Sequence, residues 1–209
     1  SAATTGTFNM AFGNQAMGGG VVTGTRNTAC GNSALYDLTT GSDNVGVGYD
    51  ALKDITTGAG NVAIGKDALS TVTTLGTHTA VGYAALKANT TGTNNTALGY
   101  NALLTNTTGS HNIAVGVNPL RLNTTGSNNT AVGRDCLEAN TTADNNTAMG
   151  YKALSLNTTG TGNVAVGSEA LDANTTASNN TAVGYQSLTG TTTGASNTAL
   201  GKSALGTNS

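Results

Sequence analysis

Apolar and polar residues follow one repeat along nearly the whole chain, as the equivalent asparagines Asn112, Asn129 and Asn146 show. We number the seventeen positions of the repeat from this asparagine, so that Asn129 opens the copy "NTAVGRDCLEANTTADN". Repeat position 4 is apolar in every copy, position 5 is glycine and position 9 is leucine, whereas positions 7, 10 and 16 vary freely. A degenerate copy begins at Asn9, one residue further from Asn27 than the period requires. Position 1 is held by Asn27, Asn44, Asn61, His78, Asn95, Asn112, Asn129, Asn146, Asn163, Asn180 and Asn197.

A unit this short cannot bury a core alone, but stacked copies can, because each side chain packs on its equivalent in the next copy. The pattern therefore predicts an all-β fold, a parallel β-solenoid (β-roll) of about eleven to twelve 17-residue coils. We expect residues 1–26 to form a degenerate N-terminal repeat or cap region and residues 27–209 one continuous solenoid domain. At the spacing of paired strands, about 4.8 Å, eleven coils make a rod on the order of 50 Å long.

Within each coil, repeat positions 1 to 5 have the pattern of a short strand that ends at a corner. Side chains alternate between the two faces of a strand, so positions 2 and 4 share one face, which we predict to be the inner one. The small residue at position 3 would then point outward, and the glycine at position 5 suits a tight corner. Positions 6 to 11 fit either a capped helical turn, as Asp50 and Pro119 suggest, or a bend into a second strand.

Repeat position 12 changes its chemistry along the chain. The first copies have Leu38, Ile55 and Val72 there, and later copies have asparagine. A position that accepts both is predicted to point inward, with the amides stacked in a buried ladder that satisfies its own hydrogen bonds. The alternative is N-glycosylation, since Asn-Thr-Thr is an acceptor sequence. The asparagines are Asn89, Asn106, Asn123, Asn140, Asn157 and Asn174.

The first five repeat positions, "NTAVG" or "NVAVG", resemble the "NSVAIG" motif of the YadA-like head of trimeric autotransporter adhesins. Similar repeats occur in phage tail fibres. The resemblance implies a left-handed parallel β-roll with three chains side by side. It also implies that positions 2 and 4 point into each roll and that position 3 faces a neighbouring chain. The longer repeat and the added "YxAL" and "NTTG" blocks depart from the family pattern.

The composition argues against several classes of function. Charged residues make up 9% of the chain and the net charge is −2, so neither nucleic acid nor an anionic membrane is a predicted partner. No apolar run is long enough to predict a membrane span. The segment "GVGYDA" at residues 46–51 matches a dinucleotide fingerprint, but the repeat itself accounts for both glycines.

The reactive side chains are too few and too scattered to predict catalysis. His78 and His111 occupy different repeat positions without a cluster of carboxylates, which disfavours a metal site or a base–nucleophile pair. Cys30 and Cys136 lie six coils apart, too far for a disulfide, and we expect both to be buried free thiols. We therefore predict no enzyme activity, no catalytic residue, no metal and no cofactor.

Two rows of equivalent side chains are the candidate interaction surfaces. The first is a threonine ladder at position 13, which resembles the threonine arrays of ice-binding solenoids, and the second is a tyrosine stripe at position 6. The threonine ladder consists of Thr90, Thr107, Thr124, Thr141, Thr158 and Thr175. The tyrosine stripe consists of Tyr49, Tyr83, Tyr100, Tyr151 and Tyr185.

Uniform repetition without a singular site favours a structural role. We expect an extracellular fibre or adhesin subunit at a cell surface or on a virion, attaching to a host surface or a glycan receptor. Repetition also favours a homo-oligomer, either a trimer or a head-to-tail filament. The alternative is an ice-binding solenoid that uses the paired threonines.

Overall fold

The computed structural model describes residues 5–206, which form a parallel β-solenoid. Its strands are three residues long, occupy repeat positions 2 to 4 and pair in sequence order in one parallel sheet. The all-β solenoid fold is thereby confirmed. The strands are β1 (Met10–Phe12), β2 (Thr28–Cys30), β3 (Val45–Val47), β4 (Val62–Ile64), β5 (Thr79–Val81), β6 (Thr96–Leu98), β7 (Ile113–Val115), β8 (Thr130–Val132), β9 (Thr147–Met149), β10 (Val164–Val166), β11 (Thr181–Val183) and β12 (Thr198–Leu200).

The pairing register stacks equivalent residues of successive coils. Thr130 in β8 is paired with Thr147 in β9, one repeat later, and the same register holds from β2 to β12. Backbone hydrogen bonds also join the coils outside the sheet, where the Leu137 N–H donates to the Ala153 carbonyl of the next coil at 3.1 Å. Backbone polar groups are therefore paired along the rod, as burial requires.

Repeat positions 6 to 11 form a series of turns in every coil. Positions 7 and 9 have positive φ, as Asp135 (53°) and Leu137 (50°) illustrate. Left-handed residues interrupt a right-handed helix, so the option of a helical turn in each coil is wrong. The described residues contain no helix, and these positions add no second strand either.

The strand faces are opposite to the prediction. The alanines at position 3, such as Ala131 and Ala148, are fully buried, whereas side chains at positions 2 and 4 point outward and are half-buried or exposed. The leucine at position 9 already fills the interior beneath the strand. A Cβ at Gly46, which stands at position 3, would lie 2.3 Å from Cδ1 of Leu35. Because position 3 faces inward against this leucine, it holds only glycine or alanine.

Two ladders of asparagine side chains run through the interior. At position 1, the Asn129 side chain donates from Nδ2 to the Ala143 carbonyl at 2.8 Å, and its Oδ1 accepts from the Asn146 N–H at 3.0 Å. At position 12, Asn140 Nδ2 donates to Asn123 Oδ1 at 2.8 Å. All six asparagines of the position-12 ladder are fully buried, which confirms the predicted ladder and leaves their amides inaccessible in the folded chain.

Candidate functional surfaces

The outward side of the sheet is an apolar surface that runs along the described part of the chain. We call it the sheet face and define it as the side chains at positions 2 and 4 of β1–β12. It carries threonine and apolar residues, Phe12 and Cys30 among them, and no charged residue. Ile113 and Met149 in its middle are each 44% exposed, and Phe12 and Leu200 at its ends are more exposed still. Sequence reasoning placed these residues inside the roll, so it missed this surface.

The threonines predicted as an interaction ladder at position 13 use their hydroxyls within the protein. Thr124 Oγ1 donates to the Thr141 carbonyl of the next coil at 3.0 Å, and Thr107 Oγ1 donates to the Thr124 carbonyl at the same distance. Thr90, Thr141, Thr158 and Thr175 make the same bond. These hydroxyls therefore hold coils together along one edge of the rod.

The second threonine of each pair, at position 14, is the one that faces solvent. These side chains are exposed in each coil, and their hydroxyls have no hydrogen-bond partner among residues 5–206. Both positions are threonine in every full copy, so the sequence did not distinguish them. The position-14 row consists of Thr40, Thr57, Thr74, Thr91, Thr108, Thr125, Thr142, Thr159, Thr176 and Thr193.

The tyrosine stripe at position 6 lies on the surface, next to the corner glycine. All five predicted tyrosines are between 40% and 51% exposed. Neighbouring side chains of the same row cover many of the ring faces. Tyr83 and Tyr100 stack with ring centroids 5.4 Å apart, and the ammonium of Lys66 lies 5.3 Å from the centroid of Tyr83. The ring of Tyr83 therefore has a neighbour in the coil before it and another in the coil after it.

The two cysteines differ in their surroundings. Both are free thiols. Cys136 is buried and donates to the Ala148 carbonyl, and burial raises the pKa of this thiol to about 12. Cys30 is only half-buried because position 4 faces outward, so the prediction that both thiols are buried is wrong for Cys30.

His78 replaces asparagine in the position-1 ladder and is almost fully buried. Its Nδ1 accepts from the Asn95 N–H at 3.4 Å, and its Nε2 lies 3.4 Å from Nδ2 of Asn89. Burial lowers the pKa of His78 to about 4. The ring is therefore neutral at pH 7 and acts as a substitute for the amide, while His111 lies exposed at the surface.

Clusters of reactive side chains are absent from residues 5–206. No group of three or more histidine, cysteine, aspartate and glutamate side chains comes together as a metal site within that range. The same range contains no helix with the length and apolar character of a membrane span.

Comparison with known proteins found no relative. No protein-family model matches the chain, and neither a curated protein nor a solved structure matches it.

Proposed function

We propose that this chain is a subunit of an extracellular structural fibre or adhesin, in which copies associate side by side through the sheet face. The observation that carries the proposal is the continuity of that face. It extends over twelve strands, roughly 55 Å at the usual strand spacing, without a charged side chain. Continuous apolar surface of this kind is typical of protein–protein contact.

A second copy is the best-matched partner for such a surface. Similar uncharged residues recur at every coil, and in two or three parallel copies each coil faces the same coil of its neighbour along the whole rod. Apolar residues at position 4, including Val132, Met149 and Val166, would interdigitate with their equivalents. The sequence resemblance to the YadA-like head and to phage fibres favours a trimer, in which positions 2 and 4 take the contact that the resemblance gives to position 3, buried here. A glycan or host surface is the receptor class that we associate with it.

Sedimentation of the purified chain and of charged variants tests the proposed association. We expect the chain to sediment as a dimer or trimer at micromolar concentration. Replacing Val132 and Met149 with lysine places charge in the middle of the sheet face and should yield a monomer. Lysine at Thr142 and Thr159, close along the rod but at position 14, is the matched control and should leave the oligomer intact. A wild-type chain that stays monomeric at high concentration contradicts the proposal.

Ice binding is the second candidate, and the position-14 row is the observation that favours it. Ten exposed threonines with unused hydroxyls recur at one position of a regular rod. An ice-binding surface of this kind has no need of charge or of a pocket. The position-13 hydroxyls are already committed to the next coil, so position 14 would make the contact.

Thermal hysteresis measures this second function directly. We expect lysine at Thr108, Thr125 and Thr142 to abolish any activity, because it disrupts three successive members of the exposed row. Lysine at Val115, Val132 and Met149 disrupts the sheet face over the same stretch of the rod and is the control. Absence of thermal hysteresis and of ice shaping in the wild-type chain removes ice binding as a function.

A further inference from the structure

One lysine of the position-6 row lies between two tyrosines. The ammonium of Lys66 is 5.7 Å from the ring centroid of Tyr49 in the preceding coil and 5.3 Å from that of Tyr83 in the following coil. The Asp67 carboxylate, at position 7 of the same coil, lies 3.5 Å from this ammonium. We call these four residues the filled clamp. It shows that tyrosines two coils apart can hold one ammonium group between them, with a carboxylate beside it.

The same arrangement occurs once more along the described chain, but without the lysine. Tyr151 and Tyr185 are again two coils apart, and Ser168 stands between them at position 6. Glu169 follows it at position 7, where the filled clamp has Asp67. We propose that Tyr151, Ser168, Glu169 and Tyr185, the open clamp, bind a small organic ammonium ion supplied from outside the chain.

The spacing of the coils suits this ligand. Two coil repeats separate equivalent atoms of Tyr151 and Tyr185 by roughly 10 Å, twice the usual strand spacing. Serine is too short to occupy the space that the Lys66 side chain takes up in the filled clamp. Tyr151 and Tyr185 are 40% and 46% exposed, so a ligand in solution can reach the two rings.

Two of the cations near these rings belong to coils outside the pair. Arg134, in the coil before Tyr151, lies 5.8 Å from its centroid, and Lys202, in the coil after Tyr185, lies 5.9 Å from its centroid. Lys152 is 5.4 Å from the Tyr151 centroid and is exposed, so it can compete with a ligand for that ring. Replacing Lys152 with alanine should therefore tighten binding.

Glu169 supplies the negative charge of the open clamp. Gln186 Nε2 donates to one of its oxygens at 2.8 Å, which orients the carboxylate without neutralising it. Among residues 5–206, no lysine or arginine lies within ion-pair distance of Glu169. In the filled clamp, by contrast, Asp67 pairs with Lys66 and also with Lys87 at 3.2 Å. An ammonium ligand would complete the open clamp in the same way.

The ligand class is set by this chemistry and is independent of the fibre function proposed above. A primary ammonium such as a lysine side chain and a quaternary ammonium such as choline both fit between two aromatic faces. A neutral group of the same shape lacks the attraction to the ring faces and to Glu169. The two sources can be separated with one probe of each kind.

Titration of the whole chain followed by NMR of the tyrosine ring signals tests the proposal. The probes are choline and Nα-acetyl-lysine methylamide, with 3,3-dimethylbutan-1-ol as the uncharged analogue of choline. We expect the ring signals of Tyr151 and Tyr185 to shift together with a dissociation constant in the millimolar range, because exposed cation–π contacts are individually weak. A stronger response to one probe identifies the primary or the quaternary ammonium as the preferred form.

Matched substitutions in the two clamps make the test specific. Ser168→Lys supplies an internal ammonium and should abolish binding, whereas Lys66→Ser should open the filled clamp and add Tyr49 and Tyr83 to the responding signals. Glu169→Gln should weaken binding about threefold. Equal shifts with the uncharged analogue, unchanged binding to the Ser168→Lys variant, or no second site in the Lys66→Ser variant would overturn the proposal. Far-UV circular dichroism checks that each variant is folded.

Discussion

At the scale of single residues, the two amide ladders show where the repeat is broken. The side-chain oxygen of each asparagine accepts a hydrogen bond from the next asparagine of its ladder. A different residue in the series therefore changes the hydrogen bonding at one known coil. His78 replaces one asparagine at position 1, and its neutral ring accepts from Asn95 through Nδ1. At the other ladder, Asn174 is the last amide because Thr191 occupies position 12 of the next coil. The Oδ1 of Asn174 is buried without a hydrogen-bond partner among residues 5–206.

The buried histidine makes stability depend on pH. The pKa of His78 is about 4 in the folded chain and about 6.5 in the unfolded chain, so the unfolded state takes up a proton first as pH falls. The contribution of neutral His78 to stability is present above pH 6.5 and is lost as pH falls to 4, at a cost of up to about 3 kcal/mol. Protonation of Nδ1 would also replace the acceptor of the Asn95 N–H with a second donor, and this hydrogen bond would be lost. Urea unfolding at about pH 7 and about pH 4.5 measures this loss.

Replacing His78 with asparagine isolates the contribution of this residue from that of the carboxylates, which titrate in the same range. The His78→Asn variant restores the position-1 ladder and should lose less stability between the two pH values than the wild type. His111→Asn changes the exposed histidine and should behave like the wild type. The same acid loss in all three proteins would mean that His78 does not carry it.

The end of the position-12 ladder offers a stabilising substitution. In Thr191→Asn, the new Nδ2 would donate to the unpaired Oδ1 of Asn174 and to the Gly194 carbonyl, as Asn174 itself donates to Asn157 and Ala177. We expect a gain of about 1–2 kcal/mol in the free energy of unfolding, since an unpaired buried acceptor is costly. Thr191→Leu, which copies the apolar residue of the first coils but donates nothing, should fail to give this gain in chemical denaturation.

At the scale of one coil, the corner glycine determines how closely coils approach. Gly133 has φ of 136°, a conformation that side chains rarely adopt. A Cβ there would lie 2.5 Å from the carbonyl oxygen of Gly150 in the next coil. Gly201, at the same repeat position, has φ of 122°, but a Cβ there would meet no described atom within 4 Å. Substitution of Gly201 therefore tests backbone strain alone, whereas substitution of Gly133 tests strain together with the contact between coils.

Alanine substitutions at these two glycines should differ in their cost. Gly201→Ala introduces strain alone and should lower the free energy of unfolding by about 1–3 kcal/mol. Gly133→Ala adds a clash with backbone that cannot move without shifting the neighbouring coil, so its loss should be larger. Thermal and denaturant unfolding of the two variants measures the difference. Equal losses would show that strain, and not the contact between coils, makes glycine necessary.

The coil also shows which features could be predicted from the sequence. The alternation of side chains along a strand correctly placed positions 2 and 4 on one face and position 3 on the other, because alternation depends only on strand geometry. It could not tell which face is inner, since that depends on how much space Leu35 and its equivalents already fill beneath the strand. The position-12 ladder was predicted because Leu38 and Asn89 share a position. The open clamp was not, because it depends on the residues that lie between two tyrosines across three coils.

At the scale of the whole molecule, the fold is one-dimensional. Each coil pairs with the coils before and after it, through the same register, hydrogen bonds and ladders. The free energy of unfolding of such a solenoid is approximately the sum of the contributions of the single coils and of the interfaces between neighbouring coils. The constant period of the sequence therefore identified the architecture, although a strand of three residues carries no strong pattern of its own.

Removal of one whole repeat should preserve this architecture. Deleting residues 112–128 joins His111 to Asn129 and keeps the order of all repeat positions, so Asn95 and Asn129 become neighbours in the position-1 ladder. We expect the circular dichroism spectrum per residue to stay the same. The slope of the unfolding free energy against denaturant concentration should fall, because a shorter rod exposes less surface when it unfolds. Deleting only residues 112–120 moves the inward leucine of position 9 onto the exposed position 17. It also stacks the asparagines of positions 1 and 12 on leucine and alanine instead of on asparagine, and should prevent cooperative folding. If both deletions were tolerated equally, the stacking of equivalent positions would not be what stabilises the rod.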